Sequence, residues 1–253
     1  MFKVKIIFYL HVQSSRVPLI EEGEKLPLII GHRGYAPGEM NQNSLSAFKN
    51  AIKLGADGIE CDVRQTKDGK LVVIHDPIII HKMKIRRVHN LEYRELVKLI
   101  GSRDKAPLLS ELVRLIPDNR LLFIELKASK QIKEIVEELH KMDVKRPNFW
   151  FMSYKYKILQ AIKNSQLRIG YHPVNPFQNY IKIAKSYNAE LISPLYWFMQ
   201  ARITKKIQKK GMYVVPWTIN KVAPLSYFIQ NNVDAIYTNE LRRAMQLKKF
   251  YQN

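Results

Sequence analysis

Four short clusters in this chain combine residue types that carry acid-base and metal chemistry. Gly31-His32-Arg33-Gly34 ends one apolar run and Glu60-Cys61-Asp62 a second, while His75-Asp76 and Glu125-Leu126-Lys127 end two more. Side chains alternate faces along a strand, so Glu60 and Asp62 project to one side, as do Glu125 and Lys127. Three carboxylates brought together from adjacent strands repel one another and raise one another's pKa. A hard divalent cation relieves that repulsion, and oxygen-only ligands favour Mg2+ or Ca2+ over zinc. His32 and His75 flank this candidate metal site, one to take a proton from an attacking oxygen, the other to give one to a leaving oxygen. Arg33 offers a two-pronged fork to a phosphate, and Lys127 a point charge. The set suits in-line displacement at phosphorus, where positioning and charge stabilisation dominate. Taken singly, each cluster also has a plain structural reading: a histidine at a strand end, a solvated Glu-x-Asp, or a Glu125–Lys127 ion pair tying strands together. Four of them at strand exits are much harder to explain by chance.

The elements that must position these clusters are legible as short apolar runs rich in β-branched and aromatic residues, alternating with helical patterns. The runs are Leu28–Gly31, Gly58–Val63, Leu71–His75, Leu121–Leu126, Phe149–Ser153, Leu167–Gly170, Glu190–Ser193, Met212–Thr218 and Ala235–Thr238. Only Arg64–Lys70 separates the second run from the third, and it holds the turn signal Lys67-Asp68-Gly69. A parallel crossover needs a dozen or so residues, so Leu71–His75 is expected to pair antiparallel as a hairpin strand. Eight strands then remain, most followed by a helical segment such as Ser44–Leu54, Ile132–Met142 or Pro224–Asn231. Eight β-then-α units predict a single (βα)8 barrel of the TIM type, whose chemistry sits at the carboxyl ends of its strands. An open doubly wound sheet is the alternative, because periodicity does not reveal closure.

Composition allows this. The chain has 253 residues, 46% hydrophobic and 25% charged, enough for a large core and unlike a disordered chain. Its one cysteine, Cys61, leaves no intrachain disulfide and fits a reducing, cytoplasmic setting. Lysine and arginine number 42 against 22 acids, a formal charge of +20. Such a charge draws nucleic acid, acidic lipid surfaces or phosphorylated substrates, or is simply a solvated basic surface, since the lysines are spread along the chain. No nucleic-acid motif is present and the aromatics are not interleaved with the lysines, so no nucleic-acid partner is expected. The opening MFKVKIIFYLHV is too short to span a bilayer, and residues 1–12 read as a first strand or a cover for the barrel floor. No other stretch is long and apolar enough for a transmembrane helix.

The run GHRGYAP…NSLSAFKNAIKLGADGIECDVRQTKDGKLVVIHD, followed by FIELK, resembles the glycerophosphodiester phosphodiesterase family. The likeness continues in APLLSELVRLIP, VVPWTIN and VDAIYTNELRRA, covering roughly residues 28–246. The resemblance implies metal ligation by Glu60, Asp62 and Glu125, acid-base roles for His32 and His75, and phosphate contacts from Arg33 and Lys127. It also implies that Trp217 packs on the substrate at the pocket rim, although core packing explains the same residue. The implied reaction is metal-dependent hydrolysis of glycerophosphodiesters to glycerol 3-phosphate and an alcohol.

Two departures from the family pattern matter. After Pro37 the family continues with Glu-Asn-Thr, whereas this chain reads Gly38-Glu39-Met40-Asn41-Gln42-Asn43-Ser44. Gln42 thus stands where the acid belongs, with Glu39 the candidate to replace it. Asn43 or Ser44 reads as the cap of the following helix. The insertion after His75-Asp76 is short, about residues 77–106, and includes His81, Lys82, Lys84, Arg86, Arg87 and His89. A small cap leaves room for bulkier or lipid-like substrates, although the basic run also reads as a solvated face. A lysophospholipase D-type hydrolase on lipid surfaces is therefore an alternative, with Leu241–Tyr251 and its Arg242, Arg243, Lys248 and Lys249 against an anionic membrane or, equally, serving as a closing barrel helix. A catalytically weakened, phosphodiester-binding relative is the other alternative.

Overall fold

Alternation of apolar side chains between two faces builds a sheet buried on both sides, and the chain uses it to make a barrel. The computed structural model describes residues 26–39, 41–102, 104–127, 132–142 and 144–252; residues 1–12 lie outside the described residues. In chain order the elements are β1 (Leu28–Gly31), α1 (Leu45–Lys53), β2 (Gly58–Gln65), β3 (Leu71–Val73), β4 (Ile78–His81), β5 (Lys84–Arg87), α2 (Tyr93–Ile100), α3 (Leu109–Leu115), β6 (Leu121–Leu126) and α4 (Ile132–His140). They continue with β7 (Phe149–Ser153), α5 (Tyr156–Ile162), β8 (Arg168–Tyr171), α6 (Tyr180–Ser186), β9 (Leu191–Ile192), α7 (Ala201–Gln208), β10 (Tyr213–Val214), α8 (Val222–Gln230), β11 (Ala235–Thr238) and α9 (Leu241–Gln252).

Eight strands run parallel in the order β10-β9-β8-β7-β6-β2-β1-β11. The two ends of that row meet through backbone hydrogen bonds from Asp234 to Val214 (3.0 Å), from Tyr237 to Pro216 (3.1 Å) and from Ile219 to Tyr237 (2.9 Å). The expected barrel is therefore found, and the open-sheet alternative is not. β3 pairs antiparallel with β2, Val63 opposite Val73 and Gln65 opposite Leu71, as the short Lys67-Asp68-Gly69 link requires.

Strand parity divides the core. Ile59, Cys61, Val63, Leu122, Ile124 and Leu126 face outward into the layer between sheet and helices. Ile30, Phe123, Trp150, Met152, Leu191, Val215, Ala235 and Tyr237 face inward and fill the barrel. Phe123 stacks on Trp150 at 6.3 Å and meets Tyr237 edge-on at 5.4 Å. Gly170 is required in this layer, because a Cβ there would stand 2.9 Å from the Met152 side chain. The helices follow the same logic: α1 opens on Ser44, whose hydroxyl accepts from the Ala47 N–H, and buries Ala47, Phe48 and Ala51. α9 lays Leu241, Ala244, Met245, Leu247 and Tyr251 against the barrel core, the packing of a closing helix.

Residues 77–106 hold more structure than a basic run suggests. β4 and β5 form a two-stranded antiparallel hairpin. Its base and α2 sit over a satellite core of Val72, Ile74, Val88, Leu91, Leu96 and Ala106.

Candidate active site

Each inward-facing series changes character one step past the apolar layer. Continuing by two residues takes Ile30 to His32 and Phe123 to Glu125, then Lys127; it takes Val215 to Trp217 and Tyr237 to Asn239. Gly170 is followed in the same way by His172, and Gly58 by Glu60, then Asp62. The polar clusters therefore rise from the strand exits into one cavity, lined by His32, Arg33, Glu60, His75, Glu125 and Lys127 on one side. Tyr154, His172, Val174 and Trp217 line the other.

Glu60, Asp62 and Glu125 are all buried, and each offers a carboxylate oxygen within 4.8 Å of the others. β2 and β6 produce this directly, because their parallel register sets Asp62 opposite Glu125 and Glu60 opposite Phe123. Lys127 Nζ lies 2.8 Å from Asp62 Oδ1 and 2.8 Å from Glu125 Oε2. Arg33 Nε lies 2.9 Å from Asp62 Oδ2. Arg33 sits in the left-handed region (φ 54), which directs its own N–H to Glu60 Oε2 at 3.0 Å. A non-glycine residue held there stores strain that the surroundings must offset.

The surroundings push the three carboxylates in different directions. Burial, reinforced by Asp62, pushes the Glu60 carboxyl well above its usual range. Burial also raises Glu125, against the pull of Lys127. For Asp62 burial acts in the same direction, but Lys127 and Arg33 overcome it and hold the carboxyl well below the usual range. Two cations thus compensate Asp62 well and Glu60 poorly. The donor set fits a hard divalent cation: all ligands are oxygens, they converge on one point, and the least compensated of them gains most from an added positive charge. The buried acidic triad can hold a metal ion.

The histidines are held by different partners. His32 Nδ1 is 2.8 Å from the side-chain oxygen of Asn239, so that nitrogen donates and Nε2 carries the lone pair, 3.8 Å from Glu60 Oε2. Burial, then the Arg33 charge, lowers the His32 pKa to about 4. His75 stands at the mouth, its Nδ1 2.8 Å from Asp76 Oδ1 and its backbone carbonyl accepting from Arg64 Nε at 2.7 Å.

Of the eight site residues expected from sequence, seven line this cavity, Trp217 included, and the eighth, Asp62, is buried against two of the lining residues, Arg33 and Lys127. Trp217 is half-buried, donates its indole N–H to the Ser193 carbonyl at 2.9 Å, and packs on His172 with ring centroids 4.3 Å apart. Three further residues belong to the site without a sequence motif that assigns them to it. Asn43, buried and left-handed (φ 58), grips Asp62 twice: its Nδ2 donates to Oδ2 at 2.9 Å and its Oδ1 accepts from the Asp62 N–H at 3.1 Å. Ser44 is the helix cap, which leaves Asn43 free to hold Asp62. Asn239 orients His32, and His172 forms part of the wall with its pKa lowered to about 3 by burial and then by Lys127. The two-residue step beyond β8 and β11 is the signal that points to both. Gln42 accepts from Arg33 Nη1 at 3.3 Å, while the Glu39 side chain lies outside the described residues.

Comparison with known proteins agrees with this geometry. Residues 32–243 match the model of the glycerophosphoryl diester phosphodiesterase family. A glycerophosphodiester phosphodiesterase of Caldanaerobacter subterraneus is 30% identical over 240 residues, covering 87% of this chain and 97% of the relative. Among solved structures, the Thermotoga maritima glycerophosphodiester phosphodiesterase superposes with a TM-score of 0.72 at 25% identity, over 89% of this chain and 97% of that one. An Oleispira antarctica phosphodiesterase, solved with its product sn-glycerol-3-phosphate, gives a TM-score of 0.78 at 20% identity, over 88% of this chain and 97% of the other, and shares the fold.

Proposed function

The chain belongs to the glycerophosphoryl diester phosphodiesterase family, and on that footing we propose that it hydrolyses glycerophosphodiesters to glycerol 3-phosphate and an alcohol. The observation that carries the reading is the convergence of Glu60, Asp62 and Glu125 within 4.8 Å, with both histidines on the same cavity. These carboxylates would hold Mg2+ or Ca2+, which when bound supplies positive charge to the phosphoryl oxygens. His32 enters the cycle neutral, with Nε2 as the accepting atom, and takes the proton of the attacking oxygen: either water, which gives glycerol 3-phosphate directly, or the substrate's own neighbouring hydroxyl, which gives a cyclic phosphate that water then opens with the two proton transfers reversed. His75, oriented by Asp76 at the open mouth, returns a proton to the departing alcohol. Arg33 and Lys127 bind the phosphate edge with the donors they do not spend on Asp62 and Glu125. Trp217 and His172 form the flat wall for the glycerol or alcohol moiety.

The same proposal treats residues 1–253 as one catalytic domain with 77–106 as a short cap, working in the cytoplasm. No helix among the described residues is long and apolar enough to cross a membrane. A panel of glycerophosphodiesters and lysophospholipids, assayed with and without chelator, tests the reaction and the substrate together. Turnover of a glycerophosphodiester that chelator removes and Mg2+ or Ca2+ restores is expected. His32→Ala and His75→Ala proteins that keep full turnover would refute the role assignment.

A further inference from the structure

The β4–β5 hairpin leaves the barrel three residues after His75, at the catalytic end, and its side chains do not read as a solvated ribbon. Register pairs Ile80 with Ile85 and Ile79 with Arg86. Ile79 turns toward the satellite core, so Ile80 and Ile85 share the opposite face. That face has no apolar cover among the described residues: Ile80 is 71% exposed, Ile85 67%, and Met83 at the tip 97%. Lys82 and Lys84 flank Met83 in sequence and Arg87 shares the face of Ile80 and Ile85, while Lys84 and Arg86 are exposed on the other face; residues 77–91 contain no acid.

The tip itself is strained. His81 pairs with Lys84 across a two-residue loop, and both loop residues are left-handed, Lys82 at φ 47 and Met83 at φ 59. Such loops favour asparagine and glycine. A methionine held at this point in an unfavourable backbone conformation is an outlier that local folding does not explain. Val174, Phe177 and Trp197 lie in loops after β8 and β9, at the same end of the barrel, and are also exposed. The apolar side of α9, by contrast, is used against the barrel.

We propose that the β4–β5 hairpin docks the catalytic end of this barrel onto an anionic lipid bilayer, with Met83, Ile80 and Ile85 entering the interface and Lys82, Lys84, Arg86 and Arg87 meeting the head groups. Charge complementarity selects this occupant: four exposed cations without an acid, on the same short ribbon as an apolar tip, match a negative surface with an apolar layer beneath it. Docking stands on the hairpin alone. Its consequence, that phosphodiesters carried by a lipid reach the cavity, rests on the hydrolytic reading above.

Co-sedimentation of the full chain with phosphatidylcholine vesicles containing phosphatidylglycerol, against phosphatidylcholine alone, tests the docking. Pelleting is expected with the anionic vesicles only, and it should weaken as salt rises. Met83→Gly keeps every charge and relieves the loop, so its melting temperature should hold or rise while its vesicle affinity falls about ten-fold. Met83→Glu should lower affinity further, and Lys82→Glu with Lys84→Glu should remove the preference for anionic lipid. Turnover of soluble glycerophosphocholine without vesicles should be unchanged in all of these, which separates failure of docking from failure of the hydrolytic reading. Equal or absent pelleting of the unmodified chain with the two vesicles, or Met83→Gly binding as tightly as the unmodified chain, overturns the proposal. So does self-association in sedimentation velocity that Met83→Glu abolishes, since the hairpin would then serve a second copy of the chain.

Discussion

Across the mouth of the barrel, β1, β2 and β6 present His32, Arg33, Glu60, Asp62, Glu125 and Lys127, whereas β7 to β10 present Tyr154, His172, Ser193 and Trp217. The first half is a dense array of opposite charges with three carboxylates sharing one centre. The second is neutral and largely aromatic, and even its histidine is kept uncharged, with a pKa of about 3. Both halves rise from the same apolar floor by the same two-residue step, so backbone geometry does not separate them. The difference lies in what each can do to a phosphodiester. The charged half changes the energy of charge developing at phosphorus; the neutral half offers shape to whatever is attached to it.

From that division it follows that the largest effect of a small substitution falls on Glu60. Its carboxyl is raised above the usual range by burial and by Asp62, so the charged form costs folding free energy at neutral pH and regains it as pH falls. Glu60→Gln keeps an acceptor for the Arg33 N–H and deletes the charge. The metal-free variant should melt at a higher temperature than the unmodified protein, while turnover falls about a hundred-fold or more. Added Mg2+ or Ca2+ should raise the melting temperature of the unmodified protein and leave that of the variant nearly unmoved. Thermal shift with and without cation, beside a turnover assay, reads all three. A variant with near-normal turnover would dissolve the contrast between the halves.

Asn43→Ala comes next, because it strips one hydrogen bond from the buried Asp62 carboxylate and one from the Asp62 backbone N–H without touching a charge. Leaving the Asp62 N–H and Oδ2 short of partners should cost about 1–3 kcal/mol of stability by denaturant unfolding. Loss of the ligand's orientation should lower turnover by about 10- to 100-fold. Asn43→Asp sharpens the point: it retains one bond, adds a fourth acid beside Asp62, and should fall below the alanine variant in stability.

Residues of this kind show where a sequence can be read and where it cannot. The barrel is legible because β-branched runs keep their spacing, and the antiparallel β3 because seven residues cannot make a crossover. The four charged clusters are legible because carboxylates at the ends of apolar strands are costly unless used. Asn43 is hidden by its neighbour: asparagine and serine are both good helix caps, and only the left-handed backbone at Asn43 turns its amide toward Asp62. His172 and Asn239 are hidden because a single neutral polar residue after a strand is ordinary, although strand parity points each into the barrel. The β4–β5 hairpin is hidden because lysines and arginines interleaved with isoleucines mask the apolar alternation.

On the neutral half, Trp217→Ala should raise KM about ten-fold and leave kcat within about three-fold, since lost packing weakens ground and transition states alike. His172→Phe preserves the packing on Trp217 and should change both constants less. It carries a separate signature in acid. His172 and His32 have folded pKa values of about 3 and about 4, below the ordinary 6.5, so the unfolded chain takes up protons first. Their contribution to stability is present above about 6.5 and is lost as pH falls toward 4 and then 3. Removing the His172 imidazole should therefore flatten the fall of melting temperature over that window. A loss of kcat as large as that from Glu60→Gln would place Trp217 among the reacting groups and erase the boundary between the halves.

The smallest expected effect tests the edge of the charged half. Gln42 is the residue that the resemblance sets where the family pattern has an acid, and its amide oxygen already accepts from Arg33 Nη1 at 3.3 Å. The substitution Gln42→Glu would keep that bond and add a charge. Arg33 is already opposed by Asp62 at 2.9 Å and is 21% exposed, so a second carboxylate gains little attraction that solvent does not screen. Turnover within about three-fold of the unmodified chain, and a stability change within about 1 kcal/mol, are expected. That outcome would mean that the guanidinium needs an acceptor at this point, not a charge, and that three carboxylates complete the charged half. A rise in turnover of about ten-fold or more would mean the opposite: the bond geometry alone leaves Arg33 misplaced toward phosphate, and the chain works below what its barrel allows.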